Sequence, residues 1–336
     1  MRKTFFVFLA GIAVAAAPSV LQAQIPATKA PATKSFTPAK TPWGDPDLQG
    51  IYTNKDESGI PFERPSQFGG KTITDVDDAE LAELIRERAK ATAERAVGIG
   101  GSTAADTGAG PIHWYENYNA KNSRPWLVVD PPDGKIPALT PEGQARARVV
   151  AARGSSFGGG PFNGPEDLGL YDRCITRGLP GSMMPAIYGN SYQIVQGPGY
   201  VAIRYEMIHE TRIIPLDGRP NLGANIRMYM GDARGHFEGK TLVIETRNFK
   251  NASSYRETSG RSLRLVEHFT PVAPGKLEWS VTVNDPTTYV KPWTFAMNLT
   301  RDEDQPVFEY ACHEGNYGLR DILSGARAAD GQAAKE

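Results

Sequence analysis

Residues 192–218, YQIVQGPGYVAIRYEMIHETRIIPLDG, hold three strand-like runs in succession with a turn signal between each pair, and no other stretch constrains the chain as tightly. Gln196-Gly197-Pro198-Gly199 is too rich in breakers to be anything but a turn, and Asp217-Gly218 is a hairpin-type signal. Between them Val201, Ile203, Tyr205 and Met207 alternate with Tyr200, Ala202, Arg204 and Glu206, which is the period of a strand with one buried face. Continued by two residues, that period places His209 in the buried row.

The rest of the C-terminal half repeats the pattern. Phe237 to Phe249 reads as a hairpin turning at Glu238-Gly239, and Ser262–Val272, Lys276–Asp285, Trp293–Asp302 and Val307–Cys312 extend the series between Pro/Gly-rich breaks. Seven or eight strands with neighbours in sequence pairing predict an up-and-down antiparallel sheet. A sheet of that size removes its exposed edges by closing, so the expected fold is mainly β, a lipocalin-like barrel with room for one small ligand. The alternative is a two-sheet β-sandwich.

The N-terminal half reads differently. Residues 1–23 carry Arg2 and Lys3, an apolar run from Phe5 to Ala17 and a small residue at Ala23, the pattern of a cleaved secretory signal peptide. Residues 24–40 are a flexible leader of Ala, Pro, Thr and Lys. A single β-rich domain is expected over 41–330, with 41–190 supplying helices and covering loops and 191–315 the antiparallel sheet. One helix starts near Thr74, with Asp77 at the capping-box position, and runs to about Ala96; Thr140-Pro141-Glu142 starts a second that reaches Arg153. Pro165-Glu166-Asp167 reads as a third start, and the Gly-rich residues 98–110 as a loop that lacks every context of a phosphate cradle.

Export places the protein in the periplasm or outside the cell, where its two cysteines, Cys174 and Cys312, can pair. Two buried thiols or a metal pair are the alternatives. With 37 basic and 38 acidic residues the charge is balanced, so neither nucleic acid nor an anionic membrane is an expected partner, and no later segment is apolar for long enough to span a bilayer. A small-molecule ligand is.

Several stretches together, TPWGDPDLQGIYTN, GPEDLGLYDRCITRGLPG, GDARGHFEGKTLVIETRNF, VNDPTTYVKPW and FEYACHEGNYGLRDILSGAR, resemble those of a large family of uncharacterised exported bacterial proteins. The resemblance spans nearly the whole mature chain and implies export, but it transfers no activity.

Chemistry must therefore be sought among individual residues. His209 and His313 each precede a glutamate. If Cys174 pairs with Cys312, then Arg173, His313 and Glu314 gather at one rim, a cation, an imidazole and a carboxylate able to bind an anionic group and move a proton; a structural polar network is the plainer reading. Neither His-Glu pair is a zinc site, because strand neighbours point to opposite faces and no HExxH or CxxC spacing exists. No Gly-x-Ser-x-Gly elbow marks a nucleophilic serine, and no cofactor is indicated. Tyr192, Tyr205, Trp279 and Trp293 are core aromatics that, inside a closed barrel, also become cavity walls. The expectation is an enzyme of hydrolase, lyase or isomerase type that acts on a small, partly apolar molecule by acid-base chemistry. His209, His313, Glu314 and Arg173 are its candidate catalytic groups, and the four aromatics its substrate contacts. A non-catalytic carrier with the same cavity is the alternative, and a structural module the reading if the barrel is filled.

Overall fold

The computed structural model describes residues 36–100, 120–152, 160, 162–186, 188–251 and 255–333. The signal peptide, most of the leader and His113 lie outside them. Among the described residues there are ten strands: β1 (Gly50–Thr53), β2 (Val128–Asp130), β3 (Ser191–Gly197), β4 (Tyr200–Tyr205), β5 (Thr211–Pro215), β6 (Asp232–Glu238), β7 (Thr241–Arg247), β8 (Arg264–Ala273), β9 (Lys276–Asn284) and β10 (Trp293–Arg301). Nine of them form one continuous path, β5-β4-β3-β1-β10-β9-β8-β7-β6, and β2 pairs with β10 beside it. Every neighbouring pair on the path is antiparallel.

This path curls into a nearly closed barrel. An inner side chain of β5 meets one of β8 at 2.8 Å, although the path leaves those strands far apart in the sheet. On β6, a Cβ added at Gly235 would stand 2.8 Å from both Ile214 Cγ2 and Leu216 Cδ2, so glycine there lets the two edge strands touch. Eight antiparallel steps bring the ninth strand round parallel to the first, and no ladder joins β5 to β6 among the described residues. The expected barrel is therefore present, closed at one seam by side chains and not by backbone hydrogen bonds.

The alternation predicted from sequence is clearest in β8 and β9, where Leu265, Glu267, Phe269 and Pro271, then Leu277, Trp279, Val281 and Val283, face inward between half-buried neighbours. Within the barrel, the Trp279 ring stands edge-on to Phe295 at 5.6 Å, and Trp293 lies 5.8 Å from Phe295. These rings belong to one cluster that includes Tyr192, Tyr205, Leu48, Tyr52 and Met297. Packed apolar interiors of this size are the main stabilising term in a fold.

Two expectations about the sheet need correcting. Its N-terminal limit is not Tyr192, because β1, only four residues long, is the strand that joins the β3–β5 meander to the β6–β10 meander, through Tyr52↔Tyr192 and Tyr52↔Arg301. At the other end, 307–312 is not a strand: the sheet stops at Arg301, and Cys312–Gly315 is a helical turn. Among the described residues, 307–311 pair with no strand.

The helices lie on the periphery. α1 (Asp78–Gly100) begins where Asp77 Oδ1 accepts the Ala79 and Glu80 amides at 2.9 and 2.8 Å, and Leu84 packs it against Phe68 and Trp126. α2 (Pro141–Ala151) is capped by Thr140, whose Oγ1 accepts the Gly143 amide at 3.1 Å. A Cβ at Gly143 would come within 2.5 Å of the Thr288 carbonyl, so this glycine lets α2 sit directly on the β9–β10 connection. Pro165–Asp167 forms a single 3-10 turn, not the start of a longer helix. After α3 (Cys312–Gly315), α4 (Tyr317–Ala333) ends the described chain. Cys174 and Cys312 are bonded, with Cα atoms 5.7 Å apart and a sequence separation of 138, as expected.

Candidate functional site

The strongest concentration of polar chemistry lies inside the barrel. Arg212 is the second residue of β5; its neighbours Thr211 and Ile213 are exposed, so the strand period turns its guanidinium inward, where the side chain is only 4% exposed. Glu267 holds the matching place on β8, flanked on its own face by Leu265 and Phe269, and is fully buried. Arg212 Nη2 and Glu267 Oε2 are 2.8 Å apart. The other carboxylate oxygen, Oε1, accepts a hydrogen bond from Trp279 Nε1 at 3.2 Å. Tyr205 is fully buried, and its ring stands edge-on to that of Tyr192 at 6.0 Å.

Burying two charges costs several kcal/mol per ion unless their remaining polar atoms are satisfied. Here they are not. The guanidinium reaches Glu267 and the Tyr205 hydroxyl, two partners for five N–H donors, and its nitrogens are otherwise without an acceptor. The Tyr205 hydroxyl is reached by the guanidinium and has no other partner. Thr246 Oγ1, on the same inner face of β7, is buried and unpartnered.

Protonation states follow from this enclosure. Burial drives the Tyr205 phenol far above its ordinary range, and the nearby Arg212 opposes that only in part, so the hydroxyl stays neutral and able to donate. Burial alone pushes the Arg212 guanidinium down, but Glu267 and Tyr205 more than offset it and leave it above its ordinary value. A permanent cation and a neutral hydroxyl thus stand beside a carboxylate in a site of low dielectric. Such a set can hold an oxygen on which negative charge develops while the carboxylate takes a proton from the neighbouring atom.

The residues singled out from sequence divide into two groups. Tyr192, Tyr205, Trp279 and Trp293 all face the barrel interior, at 1% exposure or less. Two of them border the Arg212–Glu267 pair directly. The four polar candidates lie elsewhere. His209 is exposed and does not extend the row of Val201, Ile203 and Tyr205. The strand ends at Tyr205; Met207–His209 is a 3-10 turn in which Ile208 and His209 take φ of 65° and 48°, and this left-handed kink throws the imidazole outward. Its Nδ1 lies 2.9 Å from the Tyr310 carbonyl oxygen. It acts electrostatically on the adjacent Glu210 carboxylate.

At that rim, Arg173 and His313 flank the two half-cystines, Arg173 half-buried and His313 and Glu314 exposed. Asn316 ties the helical turn down by donating to the Asp172 carbonyl at 2.9 Å. Tyr171, Tyr188 and Tyr310 form a hydroxyl cluster nearby, with burial raising the Tyr171 and Tyr310 phenols. Arg212 and Glu267 were absent from the sequence reading. Their signal was the same period of two: Glu267 alternates with Leu265 and Phe269, and Arg212 with Ile214.

No family model and no curated protein matches this chain. Among solved structures, a "secretary abundant heat soluble (SAHS) protein" from Ramazzottius varieornatus is similar over 40% of this chain and 87% of its own, at 13% identity and a TM-score of 0.24. A likeness that loose supports no inference about fold or function. Among the described residues, no helix is long and apolar enough to cross a membrane.

Proposed function

We propose that the protein is an exported β-barrel enzyme that takes a small, partly apolar molecule into the barrel and acts on it by acid-base chemistry. Arg212 and the Tyr205 hydroxyl hold an oxygen of the substrate, and Glu267, steadied by Trp279, moves the proton. Tyr192 and Trp293 supply apolar wall. The observation that carries this reading is the enclosed Arg212–Glu267 pair with guanidinium donors still unspent. Buried polar groups are ordinarily satisfied, and exceptions call for a ligand or a functional reason. Proton removal beside a carbonyl, as in lyases and isomerases, is the chemistry that a cation, a neutral phenol and a carboxylate perform together.

Native mass spectrometry of the purified full chain tests it. A retained small molecule is expected, lost in Arg212→Gln and weakened in Tyr205→Phe. Glu267→Gln should keep that molecule bound but abolish its turnover. If all three variants retain and convert the molecule as the unmodified protein does, the site lies elsewhere. Loss of retention in Arg212→Gln with turnover untouched by Glu267→Gln would leave a binding barrel whose chemistry is not this one.

A further inference from the structure

The mouth of the barrel where β7 and β9 end and β8 and β10 begin holds a second set of unspent donors. Tyr289, in the β9–β10 connection, is 3% exposed, and its hydroxyl has no hydrogen-bond partner; Trp293, fully buried at the start of β10, has none for Nε1. Their rings meet edge-on at 5.8 Å. Phe62 stands edge-on to Trp293 at 6.3 Å, and the Arg256 guanidinium lies over the Phe62 ring, 4.8 Å from its centre. Arg256 also covers the Tyr255 ring at 5.7 Å and interacts with that hydroxyl. It does so from a left-handed backbone conformation, φ 52°, which costs a non-glycine residue free energy and is found preferentially at functional positions.

Glu257 and Asp285 both act on Tyr289. Asp285 is saturated: Oδ1 accepts the Thr287 amide and hydroxyl at 3.0 and 2.8 Å, and Oδ2 the Ser259 amide and Thr288 hydroxyl at 2.6 and 2.7 Å. Arg146 of α2 adds a second guanidinium, donating to the Glu257 carbonyl at 2.9 Å and the Thr288 hydroxyl at 2.6 Å. Arg146 is itself paired with Glu142 within α2, which leaves Arg256 as the cation of the cluster. What remains unspent among the buried groups is an indole N–H and a phenol O–H whose proton burial holds in place, framed by ring edges and a cation.

We propose that this mouth is a second binding site, distinct from the Arg212–Glu267 pair, for a planar aromatic molecule bearing an acceptor oxygen of the carboxylate or carbonyl class. The indole and phenol donate to the oxygen, Phe62 and Trp293 take the ring, and Arg256 closes over it. A ligand that can only donate leaves the indole N–H unsatisfied, and a cationic one is brought up against Arg256, so the site discriminates against ammonium ligands.

Displacement of the fluorescent aromatic sulfonate 1-anilinonaphthalene-8-sulfonate from the purified full chain tests this, with benzoate and benzylammonium as competitors. Benzoate is expected to displace the dye and benzylammonium not to. Tyr289→Phe and Arg256→Gln should each weaken benzoate by about tenfold, the effect of losing one hydrogen bond to a charged group. Glu267→Gln should leave it unchanged. The proposal is overturned if the dye or benzoate does not bind, if benzylammonium competes as well as benzoate, or if both mouth variants stay within twofold of the unmodified protein. Sensitivity to Glu267→Gln alone would move the binding to the barrel interior, sinking the mouth site while leaving the interior reading intact. Equal melting temperatures of Tyr289→Phe and the unmodified protein would show that the change is local.

Discussion

The barrel interior and the disulfide-held rim carry the same kinds of residue, yet they are physically opposite places. Inside, Arg212 and Glu267 face each other with almost no exposure. At the rim, His209, His313 and Glu314 stand in solvent, and their interactions are screened. Sequence motifs drew attention to the rim because His-Glu pairs and a cysteine bridge are conspicuous in a string of letters. Leverage over a reacting molecule depends instead on the dielectric around a group, which is set by the strands that enclose it.

The largest test of that contrast is stability. Glu267→Ala strands the Arg212 cation in the interior and is expected to cost about 3–5 kcal/mol, read from urea unfolding. His209→Gln at the rim should stay within about 0.5 kcal/mol. Comparable losses in both would erase the distinction between the two regions. Next in size is the bridge itself. Cys174→Ser with Cys312→Ser should cost about 2–4 kcal/mol, because the bond restricts the unfolded chain over the long loop it closes. The loss is expected to leave the Tyr205 environment intact by near-ultraviolet circular dichroism, since the bridge lies outside the barrel; a change there would tie the rim to the interior.

The smallest effect concerns Glu210, the rim carboxylate next to His209. Burial raises its carboxyl above the ordinary value, and the Thr176 hydroxyl and His209 pull it back only partly. A raised folded value means that the folded state binds the proton more tightly. The associated stability is complete below the ordinary carboxylate value, near 4.5, and is lost as pH climbs through the folded one. Glu210→Gln should therefore match the unmodified protein at pH 4 and exceed it at pH 7.5. A constant difference across that range would mean that the rim carboxylate is solvated like any other.

Much of the fold could be read from the letters because alternation in β8, β9 and β10 is regular and punctuated by Pro and Gly. The four interior aromatics were legible for the same reason. β1 was not: four residues, GIYT, give too short a period to recognise, and their place is decided by partners in β3 and β10. His209 was misplaced because extrapolating a period assumes that the backbone stays extended. Nothing in Met207-Ile208-His209 announces that a β-branched residue will adopt a positive φ. Arg212 and Glu267 obeyed the rule that failed for His209, but charged letters on an apolar row are easily taken for solvent-facing ones.

β1 also bears on how quickly the molecule can assemble. The β3–β5 and β6–β10 meanders each pair strands adjacent in sequence, contacts that chains make early because little loop entropy opposes them. The strand that joins them emerges first from synthesis, yet it cannot be used until Tyr192 and then Arg301, near the far end of the sheet, are in place. The rate at which this barrel becomes native is thus governed less by its long hairpins than by the search of one four-residue segment for two distant partners.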